Sequence, residues 1–200
     1  MEEGLLIVVS GPSGCGKGTI CNELLKRNNN VNISISATTR KPRVGEIDGQ
    51  SYFFVSEEKF KEMIENNEFI EYAHVHSNFY GTPKKFVLDK LGKGEDVLLE
   101  IDVQGALQIK KIYPKGVYIF ILPPSMDELK DRIIKRGTET ESDILKRLKT
   151  AYEELNYAKE YDYLVVNDEL LDAVGKVESI ITAEKCKTER KIDIIKNIIL

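Results

Sequence analysis

The sequence predicts an α/β fold: a parallel-sheet core, layered with helices, carrying a β-rich insertion and a helical, polar one. Three observations predict it. The apolar run Leu5-Leu6-Ile7-Val8-Val9 leads through the glycine-rich Gly11-Pro12-Ser13-Gly14-Cys15-Gly16-Lys17-Gly18-Thr19 into Ile20–Lys26, which has helical apolar spacing. Two further runs, Val97–Asp102 and Val117–Leu122, are almost continuously apolar, as parallel strands buried on both faces are. Between these core segments lie stretches of different character, one alternating in polarity and one polar and helical. Two hundred residues, 42% of them hydrophobic, are enough for one substantial core.

Strand, glycine-rich turn and helix together form the setting of a phosphate-binding loop. Its glycines turn main-chain N–H groups inward, and the helix N-terminus adds positive potential. Lys17 supplies a point charge for a transferring phosphoryl group. Gly18 replaces the hydroxyl residue that usually follows the lysine and meets magnesium. Cys15 reads as a small residue filling the turn.

Beyond the first helix, Arg27–Asn30 is a turn-rich exit, and Val31–Ser36 alternates like a half-buried strand. Asp48-Gly49 signals a hairpin with Tyr52–Val55 as its return strand. Ser56 caps a helix over Glu57–Asn66, Phe69–His76 is another alternating strand, and Asn78–Pro83 reads as a turn into a helix ending near Leu91. A helical stretch around Gln104–Tyr113 separates the two apolar core runs. Pro123-Pro124-Ser125 opens a helix through Arg136, and Gly137–Ser142 is a polar break. A long helix from Asp143 to about Tyr161 leads to a last core strand, Tyr163–Asn167, then a helix from Glu169 and a charged tail past Ala183. The expected division is 1–33, 85–124 and 156–200 as core, 34–84 as the first insertion and 125–155 as the second.

Composition narrows the function. A net charge of −4 argues against a general nucleic-acid surface, so any polyanionic ligand must meet locally clustered Arg and Lys. Three scattered cysteines make neither a disulfide framework nor a metal-ligand spacing, which fits a reducing cytoplasm. The acidic start reads as lacking a signal peptide, and no apolar run reaches membrane-spanning length. His74 and His76 alternate without a carboxylate or cysteine at ligand spacing and read as strand-surface residues rather than metal ligands. The closing Ile-Ile-x-x-Ile-Ile-Leu could mediate self-association into a homo-oligomer; packing onto the core is the preferred reading.

Two arginine groups stand out. Pro42 keeps the segment joining Arg40 and Arg43 extended, so both guanidinium groups could clamp one phosphate, with Tyr52 and Tyr80 as further donors. For two arginines alone a solvated basic turn is the preferred reading, and either tyrosine on its own is more often packing. Arg132 and Arg136 are an i, i+4 pair, and Arg147 follows the polar break. That arrangement suits a mobile lid, although Glu128 and Asp131 make a surface ion-pair network the plain alternative.

The motifs Ser36-Ala37-Thr38-Thr39-Arg40-x-Pro42-Arg43-x-Gly45-Glu46, Tyr52-x-Phe54, Glu68-Phe69-Ile70-Glu71, Tyr80-Gly81-Thr82, Ile101-Asp102-x-Gln104-Gly105 and Arg136-Gly137-Thr138-Glu139-Thr140 run in one order along the chain. With the glycine loop they resemble the guanylate kinases over about 10–167. The resemblance implies ATP and GMP as substrates, and the first insertion as the GMP-binding part. It places Ser36, Arg40, Arg43, Tyr52 and Tyr80 on the GMP phosphate, Glu71 and Thr82 on guanine, and Asp102 near base or ribose. Gly11 to Thr19 would hold the ATP phosphates, Lys17, Arg132, Arg136 and Arg147 would act on them, and Asn167 would sit near adenine. Mg²⁺ would accompany ATP, held largely by phosphates and water. Glu100 stands where the family often has a second aspartate. Two rival readings are a non-catalytic phosphopeptide-binding module of the same frame and a kinase of a phosphorylated sugar. The intact loop with Lys17 argues against the first, and Glu71 with Thr82 against the second.

Overall fold

The computed structural model describes residues 3–75, 77–135 and 141–199, with the backbone alone for 141–143 and 193–197. At its centre is a five-stranded parallel sheet. It comprises β1 (Leu6–Ser10), β2 (Val31–Ile33), β7 (Asp96–Glu100), β8 (Val117–Leu122) and β9 (Tyr163–Val166), in the order β2-β7-β1-β8-β9. All five residues of β1 are buried, and alternate side chains enter different layers. Ile7 and Val9 pack with Ile20, Cys21 and Leu24 of α1 (Lys17–Arg27) and with Val174, Val177 and Ile181 of α7 (Leu170–Lys185). Leu6 and Val8 pack instead with Val87 and Leu91 of α3 (Lys84–Gly92) and Ala106 and Ile109 of α4 (Val103–Ile112). Helices therefore cover both faces, and the continuous apolar runs are the sequence's record of that double burial.

A second, four-stranded sheet has the order β4-β3-β6-β5, from β3 (Ala37–Thr38), β4 (Phe53–Phe54), β5 (Phe69–Val75) and β6 (Asn78–Pro83). Its core is Phe60 of α2 (Glu57–Glu65) stacked on Phe69 and Phe79 at ring-centroid distances of 4.5 and 5.4 Å. Ser56 caps α2, its hydroxyl accepting the Lys59 N–H at 3.1 Å, as its sequence indicates.

Four expectations need correction here, and a fifth, the helix from Asp143 to about Tyr161, below. Val31–Ser36 is not one strand: β2 ends at Ile33 in the first sheet, and the chain resumes as β3 in the second. Asp48-Gly49 does turn the chain, with Gly49 at φ 73° and Asp48 Oδ1 accepting the Phe54 N–H at 2.8 Å, but no hairpin results. β4 pairs in parallel with β3, Ala37 opposite Phe53, so the turn belongs to a crossover. Asn78–Pro83 is a strand antiparallel to β5 rather than a turn. The tail is helical, α8 (Thr188–Ile199), and its Ile198 and Ile199 are about 77–78% exposed instead of packing on the core.

Two helices complete the chain between β8 and β9. α5 (Met126–Lys135) and α6 (Glu141–Leu155) pack through Leu129, Ile133 and Ala151, and a short 3₁₀ turn at Ala158–Glu160 follows where one long helix was expected. Arg136, the 137–140 break and His76 lie outside the described residues. His74 lies beside Phe79, ring centroids 4.8 Å apart. Among the described residues no helix is long and apolar enough to cross a membrane.

Candidate active site

Parallel strands carry side chains at their C-terminal ends to a common edge, and there the glycine loop leaves β1. The loop is held from behind. Gly16 has φ 93°, and a Cβ on it would lie 2.2 Å from Asn167 Nδ2, which itself donates to the Cys15 carbonyl at 2.8 Å. Gly14 lies beneath Ile133 and Leu129 of α5. Cys15 is fully buried, and burial raises its thiol pKa, consistent with a filler of the turn. Lys17 folds its ammonium back over the loop, donating to the carbonyls of Gly11 at 2.6 Å and Pro12 at 3.1 Å.

From this loop a cleft of about 200 Å³ runs to the second sheet. It is lined by Gly11, Ser13 and Lys17 at one end and by Ser36, Arg40, Arg43, Tyr52, Tyr80 and Glu71 at the other. Asp102 and Arg147 also reach it. Eleven residues singled out from the sequence therefore share one space, although they come from both sheets and from α6.

The arginine end is organised by Glu46, which sequence reading quoted without giving it work to do. Arg40 donates to both carboxylate oxygens of Glu46, at 2.9 and 2.8 Å, and the Arg43 main-chain N–H donates to Oε2 at 2.7 Å. Hydrogen bonding from Arg40 holds the Glu46 carboxyl below its usual pKa. The Arg40 guanidinium also lies 5.4 Å from the Tyr52 ring centre. Tyr52 and Tyr80 meet edge to face at 6.0 Å, and burial pushes the Tyr52 phenol up to about 12, so it remains a donor at neutral pH.

Glu71 is the buried acid of the cleft, 4% exposed. β5 and β6 set it opposite Thr82, whose hydroxyl donates to Oε1 at 2.5 Å. Thr82 is itself fully buried and stands behind Glu71; its one hydroxyl proton is committed to that carboxylate. On the other side a Cβ at Gly105, in the first turn of α4, would lie 2.4 Å from Glu71 Oε2. Burial raises the Glu71 carboxyl to about 7, the Thr82 hydroxyl opposes the rise, and the Asp102 charge adds to it. Asp102 caps α4, Oδ1 accepting the Gln104 and Gly105 N–H groups at 2.8 and 3.1 Å.

The remaining candidates are spread out. Arg132 turns to the adenine-side candidate, donating to the Asn167 carbonyl at 3.1 Å and to Glu128 at 3.0 Å, an ion pair of the kind the surface-network alternative called for. Glu100 reaches over the loop: a Cβ on Gly18 would lie 3.2 and 3.4 Å from its two carboxylate oxygens. The space of the absent hydroxyl side chain thus faces an acidic group, which suits a hydrated divalent cation. Thr19, which begins the exposed face of α1, lies off the cleft. Glu154 lines the cleft too and was not anticipated; its signal was a place two helical turns after Arg147, on the same face of α6.

Chemically, the cleft sets Lys17 and Arg147 with Arg40 and Arg43 along one space, together with the buried carboxyl of Glu71. A family model described as guanylate kinase matches residues 3–184. Guanylate kinases of Clostridium tetani and Caldanaerobacter subterraneus are 62% and 59% identical, over 98% and 96% of this chain and 93% and 94% of theirs. A crystal structure of guanylate kinase from Anaplasma phagocytophilum is 38% identical, with a TM-score of 0.81 over 95% of this chain and 90% of that one.

Proposed function

The chain belongs to the guanylate kinase family, and from that premise we propose how its cleft divides the work of transferring a phosphoryl group from ATP to GMP. The observation that carries the reading is the pairing, in one cleft, of a Lys17-bearing phosphate loop with a buried carboxyl at Glu71. The loop takes the ATP phosphates, Ser36, Arg40, Arg43, Tyr52 and Tyr80 take the GMP phosphate, and Glu71 accepts the guanine N1–H and amino donors. Thr82 contributes by holding Glu71, and Asp102 stands beside the base or ribose.

The acceptor is a phosphate oxygen. A phosphate monoester has its second pKa near ~6, so it is mostly dianionic at neutral pH and needs no general base. The difficulty is charge: two like unit charges about 4 Å apart repel by roughly 4 kcal/mol at an effective dielectric of ~20. Lys17, Arg40, Arg43 and Arg147 offset that repulsion from fixed positions, before the reaction begins. Arg132, which donates to the Asn167 carbonyl, and Arg136 would act on the ATP phosphates in this reading. Glu100 is the residue that would hold a Mg²⁺ ion through its waters, and such an ion would neutralise phosphate charge. The second sheet is the GMP-binding part in this scheme, and α5 with α6 forms the lid. The buried thiols Cys15 and Cys21, with Cys186 exposed as a free thiol, support a reducing cytoplasmic setting.

A coupled assay with ATP and a panel of nucleoside monophosphates tests the reading. GMP should be preferred over AMP by orders of magnitude. Equal use of both, or turnover of a phosphorylated sugar instead, would overturn it.

A further inference from the structure

The cleft holds one acid that the transfer as described leaves idle. Glu154 sits in the last turn of α6, and its carboxyl reaches the mouth of the phosphate loop beside Gly11, Ser13 and Lys17. Oε2 is buried and has no hydrogen-bond partner. A buried carboxylate oxygen without a donor is costly, and it becomes more so when a triphosphate arrives beside it.

We propose that Glu154 is a proton-linked ligand of ATP: as the triphosphate enters the loop, the carboxylate takes a proton from solvent and donates the resulting O–H to a phosphate oxygen near Ser13. One O–H bond forms at Glu154, buffer supplies the proton, and no bond of the nucleotide changes. The inference rests on the loop being the ATP site.

The surroundings already favour this. Burial raises the Glu154 carboxyl to about 7; the Lys17 ammonium opposes the rise, Asp102 adds to it, and the Ser13 main-chain N–H lies close enough to favour the charged form. Cys15 and Tyr161, the other titratable groups facing it, are both pushed up by burial and stay neutral at pH 7–8. Arg147 lies two turns back on the same helix face and Glu100 across the cleft. Bringing phosphate charge to this carboxyl raises its pKa further, so binding must draw a proton in above pH 7.

The test is calorimetric titration of the whole protein with a magnesium complex of a non-hydrolysable ATP analogue, at pH 8, in buffers of different ionisation enthalpy. A carboxyl titrating near 7 is about nine-tenths ionised at pH 8, so the wild type should take up close to one proton. Its dissociation constant should rise about fivefold from pH 7 to pH 8. Glu154→Gln should bind the analogue without that uptake and without that pH dependence, whereas Glu154→Asp should retain part of both. Carbon-13 NMR of carboxyl-labelled glutamates reads the wild type directly, with Glu154→Asp used only to assign the resonance: the Glu154 signal should move to the protonated position when the analogue is added. Equal proton uptake by wild type and Glu154→Gln, or a Glu154 resonance that stays ionised, would overturn the proposal. Failure of the wild type to bind the analogue would instead overturn the ATP site itself.

Discussion

Thr82 Oγ1 lies 2.5 Å from Glu71 Oε1, and the two residues face each other directly across β5 and β6. The hydroxyl gives its proton to a carboxyl that burial has raised to about 7. Guanine offers two donors to an ionised acceptor, and a protonated carboxyl can accept fewer. GMP affinity should therefore weaken as pH falls through 7, by about tenfold per unit well below it. Glu71→Gln should flatten that dependence and lower the ratio of kcat/KM for GMP over AMP, mainly through loss on GMP. An unchanged ratio would mean that guanine is read by other residues.

The same burial has a stability consequence of definite sign. A carboxyl whose pKa is raised in the folded state binds protons more tightly there than in the unfolded chain. Its contribution is favourable at low pH and is lost as pH rises from about 4.5 to about 7. Glu71→Gln should stabilise the nucleotide-free protein at pH 8, by at most about 3 kcal/mol, and not at pH 4.5. Thermal melts at the two pH values give the comparison; an equal shift at both would refute it.

Lys17 gives its protons to two loop carbonyls in the nucleotide-free state. Lys17→Ala removes no core contact, so the melting temperature should change little. Turnover should fall by about 10²–10³ or more, since a positioned charge on the transferring group is lost. Near-normal turnover at saturating ATP would exclude the role.

Glu46 is a positioning residue for the arginine pair. Glu46→Gln keeps the volume and halves the acceptors that lock Arg40. The KM for GMP should rise about tenfold, one lost charge-assisted hydrogen bond, with the KM for ATP within a factor of two or so. Arg43→Ala should show the same split. A matching rise for ATP would point to general loosening of the cleft instead.

Gly16→Ala places a methyl 2.2 Å from Asn167 Nδ2, at a φ of 93° that L-residues rarely adopt. The strain, about 1–3 kcal/mol in the backbone alone, falls on the loop. ATP should bind at least tenfold more weakly while GMP binds as before; equal weakening of both by equilibrium titration would contradict that.

Much of this was legible before the structure. The core strands declared themselves because burial on both faces leaves no polar alternation, and the glycine loop because its spacing has one physical use. The second sheet was less legible. Asn78–Pro83 carries Asn, Gly, Thr and Pro, which locally favour turns, and only its pairing with β5 makes it a strand. Asp48-Gly49 turned the chain as its residues require, but which strand β4 would meet depends on contacts distant in sequence. The arginines and Glu71 were legible as types with a chemistry. Glu46 and Glu154 were not: among 33 acidic residues, the spacing of Glu154 from Arg147 is too weak a mark, and only the fold shows what either carboxylate faces.

Gly105 links two parts of the molecule that otherwise meet little in sequence. It belongs to a helix of the large sheet, yet the atom that a side chain there would meet first is the carboxylate of Glu71, from the small one. Positions 71 and 105 are therefore coupled: a side chain at 105 would have to displace the carboxylate at 71. An alanine at 105 would push the carboxylate at 71 out of its present position, so a change at either site limits what the other can become. The acid of the small sheet is in this way kept in place by a residue of the large one that has no side chain.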